Sequence, residues 1–286
     1  MRSEALRIRS MASVPRGFTL IEAVMVMVIT GILAAMVAVF IVSPTKGYLD
    51  TARRADMTDA ADTALRRLAR EVRLALPNSV RVGSAGGINY LEFIMTSAGG
   101  RYRASGDGST GGNILDFTNA SNKTFDVLGP APAFSANDYI VVYNLGTGYS
   151  PADAYEGLNR AQVSSVAGHT VTLTTNPFAA ETPPLPSPSD RFQVVPSGTQ
   201  AVTYACPVST AGNVTRYWHY GFNVTPVFPP SGGSSAVAMS NTTCEVGYAQ
   251  NVSFRNALLY VKLNVIDSAS GESVSVFEQI HVDNSP

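Results

Sequence analysis

The string Arg16-Gly17-Phe18-Thr19-Leu20-Ile21-Glu22 opens an apolar run that continues to Val42. Between Phe18 and Val42, Glu22 is the only charged residue. An α-helix rises about 1.5 Å per residue, so a run of this length crosses the ~30 Å hydrocarbon core of a bilayer. The sequence therefore predicts a transmembrane helix over residues 18–42.

The segment in front of the apolar run, residues 1–17, is short and basic. Basic residues on this side favour a cytoplasmic N-terminus, although Lys46, Arg53 and Arg54 on the far side weaken the contrast. A secretory signal peptide has a shorter apolar region that ends at a small-residue cleavage site. The run here is longer and has no such site at its end, which indicates a membrane anchor.

Glu22 needs a physical reason, because a carboxylate within a membrane span costs about 2.5–3.5 kcal/mol on insertion scales. It lies four residues after Phe18, which is about one helical turn. Cleavage before Phe18 would create a cationic amine close to this carboxylate. We expect Glu22 to pair with its own amine or with that of a neighbouring subunit, which would fix the axial register of the helices. The alternative is a glutamate near a helix end with no assembly role.

The same string resembles the class III leader of type IV prepilins and type II secretion pseudopilins. In that family a prepilin peptidase cuts after the glycine and N-methylates the new N-terminus. The resemblance implies cleavage between Gly17 and Phe18, methylation of Phe18 and an assembly role for Glu22. It also implies an inner-membrane anchor with a cytoplasmic N-terminus and a periplasmic domain that later joins a filament at the cell surface. The family's common helix proline is absent, with Val39 in its place.

Further stretches at residues 47–67, 76–81 and 281–284 look like the O-type minor pilins of the mannose-sensitive haemagglutinin (MSHA) pilus system. The J-type pseudopilins of type II secretion are the related alternative. Such large subunits are thought to prime assembly or to cap the filament tip. The implied partners are the prepilin peptidase, other minor and major pilins, the inner-membrane assembly platform and the lipid bilayer.

Helical periodicity resumes after the apolar run, so residues 43–77 are predicted to continue the helix on the periplasmic side. Ser43-Pro44 and Gly47 interrupt the pattern near its start, and Pro77 is expected to stop the helix. Apolar residues at three- and four-residue spacing indicate one buried face. They are Ala61, Ala64, Leu65, Leu68, Val72 and Leu76.

From about residue 78 the apolar pattern changes to the two-residue period of β-strands. The fold class is therefore predicted as α+β, with the long helix packed on a β-rich, pilin-like globular domain over residues 78–286. Loops rich in Gly, Ser and Pro are predicted at 97–113, 182–189 and 226–236. The predicted strands are 90–96, 113–117, 124–128, 138–143, 161–166, 170–174, 191–195, 200–206 and 214–220, with a C-terminal hairpin of 259–265 and 274–282.

The chain has two cysteines, Cys206 and Cys244. In an exported domain two cysteines indicate one disulfide in an oxidising compartment, with two unconnected buried thiols as the alternative. A bridge that closes a loop of this length stabilises the fold by roughly 3–4 kcal/mol in the chain-entropy model.

The sequence gives little support for nucleic-acid, cofactor or metal binding. The net charge of −1 gives no reason to expect nucleic-acid binding. The Gly-x-Gly-x-x-Gly string at 106–111 lies in a Gly/Ser loop, whereas a dinucleotide site needs a strand before it and a helix after it. His169, His219 and His281 are widely separated and lack metal-ligand spacing. We therefore predict no catalytic residue, metal or cofactor, and a protein that is not an enzyme.

Two surfaces leave a binding role open. The aromatic run at residues 217–220 could form a sugar-stacking platform of a pilus-borne adhesin, although a half-buried core strand is the more common use of such a run. Arginines also form a basic helix surface, which is either solvated or a docking site for an acidic partner subunit. They are Arg66, Arg67, Arg70 and Arg73.

Overall fold

The structure, a computed structural model, describes residues 17–106, 112–253 and 256–286. The predicted leader, apart from Gly17, and most of the 106–111 glycine string lie outside the described residues. The chain divides into two compact units, Met1–Arg53 and Arg54–Pro286.

Helix α1, Leu20–Arg73, begins in the first unit and ends in the second. It is continuous through Pro44 and Gly47, which interrupt the apolar pattern of the sequence but not the helix. A proline removes one backbone donor, and hydrogen bonds on either side keep a long helix intact, as is common in membrane-spanning helices. The Thr45 hydroxyl also donates to the carbonyl oxygen of Ile41, at 2.9 Å.

The end of α1 leads into the sheet. The helix stops at Arg73, and Pro77 cannot donate to the Arg73 carbonyl because it has no N–H. The N–H of Leu76 donates to the carbonyl of Ile94 at 2.8 Å, which draws the chain onto strand-like pairing. The predicted apolar stripe is confirmed, because most of its members are buried and Ala64 is partly buried; the buried ones are Ala61, Leu65, Leu68, Val72 and Leu76.

The β-rich part of the second unit contains thirteen strands in the residues that the structure describes. They are β1 Arg81–Ala85, β2 Ile88–Ile94, β3 Ala98–Tyr102, β4 Thr124–Leu128, β5 Tyr139–Val141, β6 Arg160–Ala167, β7 Thr170–Leu173, β8 Arg191–Val195, β9 Ala201–Pro207, β10 Gly212–Trp218, β11 Ser234–Ser253, β12 Asn256–Ile266 and β13 Ser273–Asp283. One 3₁₀ helix, Pro177–Ala180, lies between β7 and β8.

Seven strands form an antiparallel sheet in the order β1-β2-β9-β10-β11-β12-β13. The buried face of the C-terminal part of α1 packs on this sheet in one apolar core. Alternate residues of the central strands point into that core, as the two-residue period requires. In β12 these are Ala257, Leu259, Val261, Leu263 and Val265.

The other six strands form a closed barrel in the order β3-β4-β7-β6-β5-β8. The chain leaves the sheet after β2 and returns to it at β9, so the barrel is an insertion between two strands that pair with each other. It has its own apolar core, which includes Tyr102, Phe125, Ile140, Val163 and Phe192.

The sequence patterns located ten of the strands, with small differences at their ends. They missed β1, β3 and the whole of β11. Glycine and serine in the first two of these strands, and the many small and polar residues of β11, hide the two-residue period. The predicted strand at 113–117 is wrong: Asp116 ends the extended chain there by accepting the N–H groups of Thr118 and Asn119, at 2.8 and 3.0 Å.

The predicted disulfide is present between Cys206 in β9 and Cys244 in β11, and both cysteines are buried. These two strands lie on either side of β10. The bridge therefore joins the two strands that flank β10.

A polar cluster fastens α1 to the same sheet. The carboxylate oxygen Oε2 of Glu71 accepts hydrogen bonds from Arg216 Nε, at 2.7 Å, and from the Tyr204 hydroxyl, at 2.9 Å. The Arg216 side chain is only 9% exposed and that of Glu71 12%. Burial and the nearby carboxylate raise the pKa of Tyr204 above its ordinary value.

Removal of the disulfide should destabilise the second unit. Replacing both Cys206 and Cys244 with serine should lower the free energy of unfolding by about 3–4 kcal/mol, because the unfolded chain regains the entropy of an open loop. Denaturant titration of the full chain in detergent measures this change. Reduction of the unsubstituted protein is the matched control and should give a similar shift, whereas an unchanged midpoint would contradict the prediction.

Removal of the Glu71 carboxylate should be at least as costly. Glu71→Ala leaves Arg216 buried without its partner, and breaking such a pair costs about 3–5 kcal/mol. Trp218 is the only tryptophan, and it lies 4.7 Å from the Arg216 guanidinium, so its fluorescence reports unfolding at this position. Arg67→Ala is the control, because its exposed pair with Glu71 should contribute at most about 1 kcal/mol. Equal losses for the two variants would contradict the assignment.

Candidate functional site

The first described residues of the N-terminal string are non-helical and accessible. Gly17, Phe18 and Thr19 precede the helix, and all three are exposed. Phe18 is 79% exposed. A Cβ atom added at Gly17 would meet no other atom within 4 Å. The glycine is therefore not required by packing within the described residues.

Thr19 caps the helix, a feature that the sequence analysis missed. Its hydroxyl oxygen accepts the N–H of Glu22 at 3.3 Å, and its carbonyl oxygen accepts the N–H of Ala23 at 3.1 Å. Thr19-Leu20-Ile21-Glu22 also has the spacing of a capping box, which was visible in the sequence. The cap fixes Leu20 as the first helical residue.

The cap changes the setting of Glu22. The carboxylate lies in the first helical turn, where the partial positive charge of the helix N-terminus favours an anion. Phe18 lies just outside the helix, on the N-terminal side of the cap. An amine created at Phe18 would therefore sit at the same helix end as Glu22, although not on the same helical turn as the sequence spacing predicted.

The first part of α1 carries a large apolar surface. Large apolar side chains from Phe18 to Ile41 are exposed on all sides of the helix within the first unit. The helix is long and apolar enough to cross a membrane by length and composition. An apolar surface of this extent is covered in use by lipid or by other apolar helices.

The stretches at residues 76–81 and 281–284 meet in the structure. The backbone N–H of Asn78 donates to Asn284 Oδ1, and the Asn78 side chain donates to the Asn284 carbonyl, both at 3.1 Å. Asn144 joins them by donating to the carbonyl of Pro77 at 2.7 Å. These polar residues therefore close the chain end onto the segment that follows α1, which is a structural use.

The aromatic run at 217–220 does not present its rings together. Trp218 packs against the core between α1 and the sheet, under the Arg216 guanidinium. Tyr220 packs against a separate cluster, and its hydroxyl donates to Glu92 Oε1 at 2.9 Å. His219, between them, is exposed. The run follows the core-strand interpretation rather than that of a sugar-stacking platform.

The histidines and acidic residues do not converge. Among residues 17–106, 112–253 and 256–286, no group of three or more His, Cys, Asp or Glu side chains is placed to hold a metal ion. One buried acid in the barrel is perturbed: burial raises the pKa of Glu181 from its ordinary value to about 7. Its Oε2 accepts the N–H of Leu185 at 3.1 Å, which opposes this rise.

Glu181 should make the stability of the second unit depend on pH. Its pKa is about 7 in the folded chain and 4.5 ordinarily, so the folded state keeps a proton that the unfolded state has lost between these values. Stability from this group is therefore full below about pH 4.5 and falls as the pH rises to about 7.

The matched variant is Glu181→Gln, which stays neutral at every pH. The difference in denaturation midpoint between this variant and the unsubstituted protein should grow from about pH 5 to about pH 8, with the unsubstituted protein becoming relatively less stable. A difference that stays constant across this range would contradict the buried, protonated carboxyl.

One known family resembles the N-terminal region of the chain. The family model described as the prokaryotic N-terminal methylation motif matches residues 14–38. No curated protein and no solved structure matches the chain. The matched residues cover the predicted cleavage point, the helix cap, Glu22 and much of the apolar run. The motif thus supports a type IV prepilin-like family for this chain.

Proposed function

We propose that this protein is a minor pilin that takes part in the assembly of an MSHA-like type IV pilus, in priming or at the tip. The observation that carries the proposal is the methylation motif at residues 14–38, placed at the start of an exposed apolar helix. The role is non-covalent, through helix packing and subunit contacts, and the protein itself is not an enzyme. The resemblance at residues 47–67 favours the MSHA system over the J-type pseudopilins.

The first step of this function is processing by a prepilin peptidase. The enzyme cuts between Gly17 and Phe18 and methylates Phe18. The exposed, non-helical backbone of both residues supports this step, because a peptidase needs an extended and accessible chain. Before assembly, residues 18–42 hold the subunit in the inner membrane, with the N-terminus in the cytoplasm and the β-rich domain in the periplasm.

The second step is transfer from the bilayer into a filament. The apolar surface of α1 exchanges lipid for the helices of other pilins, with the inner-membrane assembly platform as the site of transfer. Glu22 then pairs with the N-terminal amine of a neighbouring subunit or with its own. A charge buried in apolar surroundings is costly without its partner. Only the axial alignment of the helices that brings the carboxylate to an amine avoids this cost, so the pair selects that alignment.

Glu22→Gln tests the role of this charge. Glutamine, like glutamate, is a capping-box residue at the third helical position. The variant therefore keeps a side chain suited to the helix start and loses only the charge. We expect normal cleavage but a loss of incorporation of at least about tenfold, because 1.4 kcal/mol already corresponds to a factor of ten and an unpaired membrane charge costs more. Immunoblots of sheared filaments and of membranes measure incorporation.

Two controls separate the steps. Intact mass of the membrane-extracted protein should show the loss of residues 1–17 and one added methyl group. Gly17→Leu should abolish this change without unfolding the domain, since no atom lies near the position. Normal incorporation of Glu22→Gln would overturn the register role. An intact leader on the unsubstituted protein, in cells with an active prepilin peptidase, would overturn the pilin assignment.

A second candidate function, display of a binding module, is favoured by the barrel. The barrel is inserted between β2 and β9, and it has a core separate from the one that holds α1. Such an insertion is not needed to bury the helix. Glycan-array binding by the processed protein tests this function, and absence of binding across the array would count against it.

A further inference from the structure

The seven-stranded sheet is incomplete at one corner. The first half of β11 pairs with β10, whereas its pairing with β12 starts only at Thr242. Because β12 ends at Ile266, residues 234–241 of β11 have a strand neighbour on one side only among the residues that the structure describes. Residues 267–272 then connect β12 to β13. The place where β12 would continue along β11 is therefore open.

The free edge of β11 lacks the side chains that usually protect a strand edge. Natural edge strands are blocked by charged residues, proline or bulges. Residues 234–241 contain no charged residue and no proline, and Val237 is 53% exposed. The pairing with β10 shifts its register on either side of Val214, but β11 continues through these shifts. The unpaired backbone of this segment is therefore open to an added strand.

An open groove of about 500 Å³ lies beside this edge, between β11 and α1. Most of the residues that line the groove are apolar: Met57, Ala60, Val237, Ala238, Met239 and Val265. Met57 and Ala238 also pack against the core between the helix and the sheet, so the groove is an uncovered margin of that core. The side chains of a strand added to β11 would have an apolar surface to bury here.

Asp56 gives the groove a negative charge. It is exposed, and it is the only charged residue among the described residues that line the groove. It forms no ion pair with any other residue that the structure describes, and Arg54, just before it in the chain, pairs instead with Glu272 at 2.9 Å. A basic side chain on the incoming strand would be complementary to this carboxylate.

We propose that this corner of the sheet binds an extended segment of a different pilin subunit. The segment pairs with residues 234–241 as a strand antiparallel to β11, with apolar side chains in the groove and a basic side chain beside Asp56. A strand supplies both the backbone hydrogen bonds and the alternating side chains, whereas a helix cannot pair with the edge.

The donor of the segment is another protein rather than a second copy. Each of the described strands of this chain already belongs to the sheet or to the barrel, so a second copy has no spare strand among them. The proposal rests on the proposed pilin function, because a subunit that primes assembly or stands at the tip must contact subunits unlike itself.

Photocrosslinking in cells that carry the assembly machinery tests the contact. The crosslinker p-benzoylphenylalanine replaces Ser235, which is exposed on the free part of β11 and does not line the groove. We expect a crosslink to one segment of another pilin subunit, with apolar residues at alternate positions and a lysine or arginine among them. A crosslink to lipid, to a helix of another pilin or to any part of this chain would overturn the proposal. So would the absence of a crosslink in cells where the chain is cleaved and incorporated, which would leave the pilin function in place.

A matched pair of variants tests the groove. Ala60 and Ala55 are both exposed on α1, but only Ala60 lines the groove, so Ala60→Phe is the test and Ala55→Phe the control. Crosslinking should fall at least about tenfold with Ala60→Phe and change less than about twofold with Ala55→Phe, because the added ring occupies the space of the incoming side chains. Both variants should keep the denaturation midpoint, since neither position is buried. Equal crosslinking by the two variants would refute the groove as the binding site.

A charge exchange tests the ion pair with the partner. Asp56→Lys should lose most of the crosslink, and replacement of the basic residue in the crosslinked segment by aspartate should restore it. Undiminished crosslinking by Asp56→Lys, or no recovery in the exchanged pair, would contradict the proposal.

Hydrogen exchange measures the backbone pairing itself. Amides of residues 234–241 that exchange freely in the processed chain in detergent should slow at least about tenfold in the purified crosslinked complex, because the added strand accepts their hydrogen bonds. Amides of β13, which is the far edge of the sheet, are the control and should be unchanged. Unchanged exchange over residues 234–241 would show docking without strand pairing and would overturn the proposal.

Discussion

The structure depends first on an apolar surface that the first unit cannot bury. From Leu20 to Ile41 the large side chains lie on the outside of a helix and have no core of their own. Transfer of such a surface out of water is the largest favourable term available to this segment. A bilayer or a bundle of similar helices can bury this surface. The cap at Thr19 and the acid at Glu22 matter because they stand at the end of this surface.

In the second unit the same helix packs on the sheet. There it is amphipathic, and its apolar face completes the core of the seven-stranded sheet. Glu71 fixes the position of the helix on the sheet, because its carboxylate accepts hydrogen bonds from Arg216 and Tyr204 of two neighbouring strands. The disulfide links β9 to β11 across β10, the strand that carries Arg216. The helix face that remains outward is exposed and includes Arg66, Arg70 and Arg73.

Features of the site that depend on neighbouring residues could be predicted from the sequence, whereas contacts between remote residues could not. The apolar run, the glycine before Phe18 and the lone acid depend only on neighbouring residues, so the sequence indicated them directly. The capping box at Thr19 is likewise a short-range spacing that the sequence shows. The partnership of Glu71 with Arg216 was not accessible, because 145 residues separate them and neither position is unusual by itself. The segment at 113–117 alternates like a strand, yet the side chain of Asp116 binds the local backbone and turns the chain.

The sequence by itself determined the anchor, the helical stripe, most strand positions and the two cysteines, since each follows from composition or from short-range periodicity. Only the tertiary structure decided where α1 ends, which strands are neighbours and that six of them close into a separate barrel. Those outcomes depend on strand partners that are remote in the chain, as when Leu91 pairs with Tyr204. Local sequence preference predicts that a segment is extended, whereas the packing of the whole domain determines which strand it pairs with.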